Sequence, residues 1–89
     1  LDDSIALLWF GEGLLHAENG DTLKSISAME EAVSKDASQD RWWYNLGVAY
    51  MQTNQSEKAQ GALIQAVQLN PTEMQYQQVL GGLMQQQQQ

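Results

Sequence analysis

The chain of 89 residues contains no cysteine, which excludes disulfide bridges, thiolate metal ligands and a thiol nucleophile. Only four lysines and arginines stand against eleven acids, and the net charge of -7 would repel phosphate backbones and anionic lipid. The longest apolar run, Ile5 to Phe10, is far shorter than the ~20 residues of a membrane-spanning helix. We therefore expect no nucleic-acid partner and no membrane insertion, and we interpret the chain as a soluble domain.

The composition is that of one small folded domain. Hydrophobic residues make up 43% of the chain and charged residues 17%, which is unlike the composition of disordered proteins. The chain begins at Leu1 instead of Met and shows no basic region followed by an apolar stretch. We interpret it as a processed chain or an excised domain.

The sequence contains an internal repeat without gaps. It becomes visible when the sequence is aligned with itself so that Trp43 falls on Trp9. The same shift superposes Gly13 on Gly47 and later three alanine or valine pairs. Polar turns divide each unit near residues 19–21 and 53–56, and further turns are expected near 36–39 and 69–71. Each unit is therefore predicted to be a pair of helices joined by a short turn.

The second unit shows how its two helices should pack. Residues at three- and four-residue spacing form one face of a helix from about residue 40 to 52: Trp43, Leu46, Gly47 and Tyr50. A matching face follows on the next helix and includes Ala59 and Leu63. Since Gly47 has no side chain, we expect it to lie in close contact with Ala59 or Leu63.

The segment after the second unit is predicted to start another helix. Asn70 can cap its amino end, Pro71 suits the first helical position and Glu73 can reach back to the cap. This helix is expected to run to Met84, and the glutamines that follow are expected to fray.

The second unit resembles the tetratricopeptide repeat. It carries the family pattern almost whole, with eight matching positions: Trp43, Leu46, Gly47, Tyr50, Ala59, Leu63, Ala66 and Pro71. The first unit keeps Trp9, Gly13 and Gly20 but has Glu12 and His16 where the pattern has leucine and tyrosine. The resemblance divides the chain into repeat 1 (6–39), repeat 2 (40–73), a capping helix (74–84) and a polyglutamine tail (85–89).

The resemblance implies an all-α fold in which five helices form antiparallel helix-turn-helix repeats, stacked as a right-handed solenoid. In this family the first helix of each unit lines a concave surface that holds peptides or helices. When the spacing is projected outward from the packed face, the residues predicted to line this groove are Leu7, Phe10, Leu14, Arg41, Tyr44, Asn45, Val48, Met51, Gln75 and Val79. An apolar groove with one arginine and several glutamines suits an amphipathic helix or an extended hydrophobic segment.

Two function classes follow from the groove. The first is an adaptor or scaffold that holds a protein or peptide partner. The second is a structural module whose groove packs against its own chain or against a second copy, which would make a homodimer. Within the first class, the chaperone-binding subset of the family grips a terminal carboxylate with asparagines, lysines and an arginine. Only Asn45 matches that clamp, since its other positions fall on Phe10, Leu14, Gln75 and Val79.

No residue pattern indicates catalysis, a metal or a cofactor. His16 is the only histidine, and Glu12 lies one helical turn before it on the same face. The pair could form an acid-base site or half of a metal site, but without a second histidine or a nearby nucleophile we interpret it as structural. The acidic pairs Asp2-Asp3 and Glu30-Glu31 could bind a basic partner, although such runs more often form solvated faces. We therefore expect no enzymatic activity.

Overall fold

The computed structural model describes residues 4–87, which form five helices and no strand. The helices are α1 (Ser4–Glu18), α2 (Thr22–Lys35), α3 (Asp40–Gln52), α4 (Ser56–Leu69) and α5 (Met74–Gln87). This confirms the all-α class and the predicted pairs of helices joined by turns. The last helix extends beyond its predicted end at Met84, because α5 continues to Gln87. Among the described residues, none of the helices combines the length and apolar character needed to cross a membrane.

Two sequence predictions concern residues outside this range. The acidic pair Asp2-Asp3 and the last two glutamines of the tail, Gln88 and Gln89, lie outside the described residues. The second acidic pair, Glu30-Glu31, lies on α2, where both residues are exposed.

The turns inside the two units have the same backbone conformation at equivalent positions. Gly20 and Asn54, which the repeat superposes, both have positive φ, at 81° and 61°. Glycine and asparagine tolerate this left-handed conformation, which commonly ends a helix. The amide of Gly20 donates to the carbonyl of Ala17, and that of Asn54 donates to Met51, each at 3.1 Å. Equivalent residues of the two units therefore make equivalent hydrogen bonds in their turns.

The turns between units also match. Asp36 accepts hydrogen bonds from the amide and hydroxyl of Ser38 at 3.0 and 2.6 Å, and these bonds lower the pKa of Asp36. In the next turn the Thr72 hydroxyl donates to the Asn70 side chain at 3.1 Å. The prediction that Pro71 occupies the first position of a helix is wrong, because α5 begins at Met74. Asn70 instead follows the last residue of α4, where its side chain is free to bond elsewhere.

The helices pack mainly against their neighbours along the chain: α1 on α2, α2 on α3, α3 on α4 and α4 on α5. The prediction that Gly47 lies against Ala59 or Leu63 is confirmed, and both residues lie close to it. A Cβ atom at Gly47 would lie 2.9 Å from Leu63 Cγ and 3.4 Å from the Ala59 carbonyl oxygen. A Cβ atom at the equivalent Gly13 would lie 2.7 Å from Met29 Cγ. Each hairpin thus closes over a glycine on its first helix.

Two stacked aromatic pairs join successive units. The rings of Phe10 and Trp42 have centroids 4.9 Å apart, and those of Tyr44 and Tyr76 have the same separation. The two pairs are equivalent, since the repeat superposes Phe10 on Tyr44 and Trp42 on Tyr76. Trp42 is therefore the more deeply buried of the two neighbouring tryptophans. Trp43, which the sequence placed in the packed face, is half-buried, and its indole N–H donates to the Ala37 carbonyl at 2.9 Å.

A polar network connects α3, the turn after α4 and α5. Asp40 Oδ2 accepts hydrogen bonds from the Tyr76 hydroxyl at 2.7 Å and from Asn70 Nδ2 at 3.2 Å. The bond from Tyr76 lowers the pKa of Asp40 below 3.8. Burial and this hydrogen bond raise the pKa of Tyr76 to about 12. Ionised Asp40 and protonated Tyr76 therefore form a hydrogen bond that joins α5 to α3, beside the stacked rings of Tyr44 and Tyr76.

We expect Tyr76→Phe to lower the free energy of unfolding by about 1.5–3 kcal/mol at neutral pH, because Asp40 loses a hydrogen bond to its charged form. The lowered pKa of Asp40 means that its contribution is present above pH 3.8 and is lost as the pH falls further. The difference between the two proteins should therefore shrink in acid. The raised pKa of Tyr76 removes the same contribution as the pH rises from 10 toward 12.

Urea denaturation of both proteins across the acidic range measures this difference directly. Asp36 also has a lowered pKa, but it is present in both proteins, so its effect cancels in the comparison. A difference that stayed constant down to low pH would show that Asp40 does not carry it.

Candidate functional site

The ten residues predicted to line the groove lie on the first helices of the successive units, α1, α3 and α5. They occupy equivalent positions in the repeat, as Leu7, Arg41 and Gln75 do. We call the side of α1, α3 and α5 that carries these positions the groove face. The structure divides the ten residues into four groups.

Three of the predicted residues line one depression on the groove face. Leu14 of α1 and Asn45 and Val48 of α3 border a cavity of about 150 Å³. Leu14 is exposed, whereas Asn45 and Val48 are half-buried, so apolar surface and one amide are open to a ligand. The floor is formed by α2, whose Ser25 hydroxyl donates to Met29 Sδ at 3.9 Å.

Sequence reasoning missed the residues that α2 contributes to this cavity. Thr22, Ser25 and Met29 border it, together with Gln52 at the end of α3. These positions follow the turn or lie in the packed face of α2, so the outward projection from the first helices gave no signal for them. Because Gly13 has no side chain, Met29 can approach α1 closely, and Met29 also borders the cavity.

A second part of the groove face lies between α3 and α5. The ring of Tyr44 stacks on that of Tyr76 at an interplanar angle of 29°, and the Tyr44 hydroxyl accepts a hydrogen bond from Gln75 Nε2 at 3.2 Å. Tyr44 is half-buried and Gln75 is exposed. The structure thus brings two more of the predicted residues together, with a hydroxyl and an amide at the surface.

Phe10 does not have the predicted open position. Its side chain is only 8% exposed, because the ring lies against Trp42 at an interplanar angle of 14°. Phe10 therefore belongs to the core that joins the first unit to the second. The groove prediction is corrected at this residue, since a buried ring cannot serve as an aromatic anchor for a ligand.

The remaining predicted residues are not gathered around the cavity. Leu7 and Arg41 are exposed, and Met51 and Val79 are half-buried and pack against the core. They lie on the groove face by the repeat, outside the cavity bordered by Leu14.

The Glu12 and His16 pair lies away from the groove face. Both residues border a crevice between α1 and α2, where Glu12 is exposed and His16 half-buried. Residues 4–87 contain no group of three or more histidine, aspartate or glutamate side chains that could hold a metal. Nearby, the Tyr50 hydroxyl donates to Glu30 Oε2, and burial together with this bond raises the pKa of Tyr50.

Comparison with known proteins agrees with this architecture. The profile of the tetratricopeptide repeat family matches residues 16–83. The chain therefore belongs to the tetratricopeptide repeat family. No curated protein matches the chain.

Three solved structures show the same fold. The first tetratricopeptide repeat domain of Spaghetti (RPAP3), bound to the HSP90 peptide SRMEEVD, superposes with a TM-score of 0.85 at 19% identity, covering 93% of this chain and 66% of that one. The type III secretion chaperone SycD of Yersinia enterocolitica, in complex with a peptide of the translocator YopD, gives 0.83 at 13% identity, with 92% and 68% covered. The second domain of Spaghetti, bound to the same HSP90 peptide, gives 0.74 at 19%, with 93% and 83% covered.

Proposed function

We propose that the chain is a protein-interaction module whose groove face holds a peptide or an amphipathic helix, as an adaptor or scaffold in a larger assembly. The observation that carries the proposal is the open cavity bordered by Leu14, Asn45 and Val48. The solved structures with the same fold are complexes with peptides, which supports a ligand of this class. The side chains of Leu14 and Val48 supply apolar contact area, and the Asn45 amide can pair with the backbone of a bound segment.

The ligand should differ from the HSP90 peptide of the Spaghetti complexes. Apart from Asn45, the positions of the carboxylate clamp carry apolar or neutral side chains, and Phe10 is buried against Trp42. A peptide that ends in acidic residues would also meet a chain of net charge -7. We therefore expect an apolar segment without an acidic terminus.

A random peptide library displayed on phage, selected against the full chain, tests this proposal. We expect enriched peptides rich in apolar residues, whose affinity falls at least ~10-fold when Leu14 and Val48 are both changed to glutamine, because two apolar contacts of more than about 1 kcal/mol are lost. The matched control is Leu23→Gln on α2, an exposed leucine that does not border the cavity.

Three results would contradict the proposal in whole or in part. The first is selected peptides that bind the double variant and the control equally well. The second, tight binding of SRMEEVD itself, would contradict the expected apolar ligand while leaving the module a peptide binder. The third, a concentration-dependent dimer in light scattering that dissociates in the Leu14 and Val48 double variant, would favour the alternative function, in which the groove packs against a second copy.

A further inference from the structure

The first helix exposes an apolar face that its equivalents in the other units bury. Leu8 is 70% exposed and Leu15 57% exposed, and Ile5 is exposed on the same side of α1. Leu8 lies three residues after Ile5, and Leu15 lies seven residues after Leu8, so the three side chains form one stripe along the helix. We call Ile5, Leu8, Glu12 and Leu15 the end face of α1. It is distinct from the groove face, which carries Leu14.

The repeat shows what covers such a face. Leu8 is equivalent to Trp42 and Tyr76, and all of the positions equivalent to Leu8 and Leu15 in α3 and α5 are buried: Trp42, Ala49, Tyr76 and Leu83. Trp42 stacks on Phe10 of α1 and Tyr76 stacks on Tyr44 of α3, and the preceding helices α2 and α4 also pack on α3 and α5. The end face of α1 therefore corresponds to a surface that helices of the preceding unit cover in the other two units.

Charge decides which kind of helix fits. Glu12 stands in the middle of the stripe, where the equivalent residues are Leu46 and Leu80. Among residues 4–87, no hydrogen bond or ion pair engages the Glu12 carboxylate. A covering helix made only of apolar residues would desolvate this carboxylate without compensation, which is costly. A lysine or arginine opposite Glu12 would compensate for it.

The surface beside the stripe is also acidic. A cavity of about 200 Å³ is bordered by Ile5, Leu8, Trp9 and Glu12. Trp9 and Glu12 also border the crevice between α1 and α2, which has a volume of about 460 Å³ and contains Glu30 and Glu31. The crevice also holds His16 and Lys24, and Lys24 lies 3.6 Å from Asp21. Glu31 also lies 3.8 Å from Lys35, and Glu30 accepts a hydrogen bond from the Tyr50 hydroxyl. Among the described residues, Glu12 is therefore the carboxylate of this surface that has no partner, and the Trp9 ring lies beside it.

A second copy of the chain is a poor occupant. A symmetric pair would bring Glu12 of one copy against Glu12 of the other, between molecules of net charge -7. A head-to-tail pair would place the far end of α5 on the stripe. On α5 the residue equivalent to Phe10 and Tyr44 is Gln78. A head-to-tail pair would therefore lack the aromatic ring that joins successive units.

We propose that the end face of α1 docks a basic amphipathic helix of a partner protein, at the position where the preceding unit packs on α3. The apolar side of that helix covers Ile5, Leu8 and Leu15, and its lysines or arginines reach Glu12 and the acidic crevice. This surface is separate from the groove of the proposed function, so the chain presents two different faces to two partners.

The test uses the full chain and a synthetic peptide of leucine, lysine and alanine, with an apolar stripe over about four helical turns. A second peptide with every lysine replaced by glutamate is the matched probe. We expect the lysine peptide alone to bind, with weaker binding at higher salt. Its NMR footprint should fall on Leu8, Leu15 and the Trp9 indole.

Two variants define the face. Leu8→Gln combined with Leu15→Gln should lower the affinity at least ~10-fold, since two apolar contacts are lost. Glu12→Gln should lower it about 2- to 5-fold and reduce its salt dependence. The control is Leu23→Gln combined with Leu69→Gln, two exposed leucines on other helices, which should leave the affinity unchanged.

Several results would overturn the proposal. A footprint on Leu14, Asn45 and Val48 would place the peptide in the groove and support the proposed function instead. Equal binding of the lysine and glutamate peptides would show that the end face does not select a basic helix. If neither peptide binds, the end face is not a docking site for a helix of this kind. Self-association of the chain that is abolished by the Leu8 and Leu15 double variant would make a second copy the occupant.

Discussion

Replacing Phe10 by alanine should destabilise the domain by about 3–5 kcal/mol, a large share of the stability of a domain of this size. The ring is buried and lies 4.9 Å from that of Trp42, so its loss leaves a cavity where the first unit meets the second. Urea denaturation followed by circular dichroism measures the effect. The control is Leu7→Ala on the same helix, which should change stability by no more than about 0.5 kcal/mol because the side chain is exposed.

A double-mutant cycle tests the stacking itself. Trp42→Ala alone should cost about as much as Phe10→Ala. The double variant should cost less than the sum of the two, by about 0.5–1.5 kcal/mol, because stacked rings stabilise each other beyond the area they bury. Simple additivity would show that the two rings do not interact. A small effect of Phe10→Ala would show that Phe10 is not a core residue and would support its predicted place in the groove.

The second large effect is expected for Gly47→Leu, which should destabilise the domain by about 2 kcal/mol or more. A Cβ atom at this position would lie 2.9 Å from Leu63 Cγ and 3.4 Å from the Ala59 carbonyl. The backbone of α4 would have to move away from α3 to accept a leucine. Thermal denaturation should show a correspondingly lower midpoint for the variant.

The matched control is the same substitution at Gly61 in α4, where a Cβ atom would meet nothing within 4 Å. Leucine has a higher helix propensity than glycine, so Gly61→Leu should raise stability by about 0.5–1 kcal/mol. Opposite signs for two identical substitutions would separate packing from propensity. Equal shifts at the two sites would mean that Gly47 is not in a close helix contact.

The hairpins could be predicted from the sequence because the repeat is a local pattern. Gly47 lies against Leu63 within one unit, and the turns at Gly20 and Asn54 depend on residues that are close along the chain. Each feature therefore leaves a trace at a fixed spacing, either one helical turn or one repeat unit. Family membership and the all-α fold followed from the same traces.

Contacts between units left no such trace. The family pattern made Trp43 the packed tryptophan, yet Trp42 is more deeply buried, because α3 also packs against the preceding unit through Phe10. The hydrogen bond from Tyr76 to Asp40 joins residues on α5 and α3. Nothing in the sequence around either residue predicts that the other is its partner. Sequence periodicity identifies the faces of a helix, whereas the neighbouring unit determines which face is covered.

The packing of each helix on its neighbour along the chain has a kinetic consequence. The extensive interfaces join consecutive helices, so the chain closes only short loops as it folds. A fold with such low contact order is expected to form quickly, and its stability is approximately a sum of terms within each repeat unit and between neighbouring units. Opening then begins at an end of the stack. The backbone amides of α5, which has a helix packed on it from one direction only, exchange with solvent before those of α3, which lies between α2 and α4.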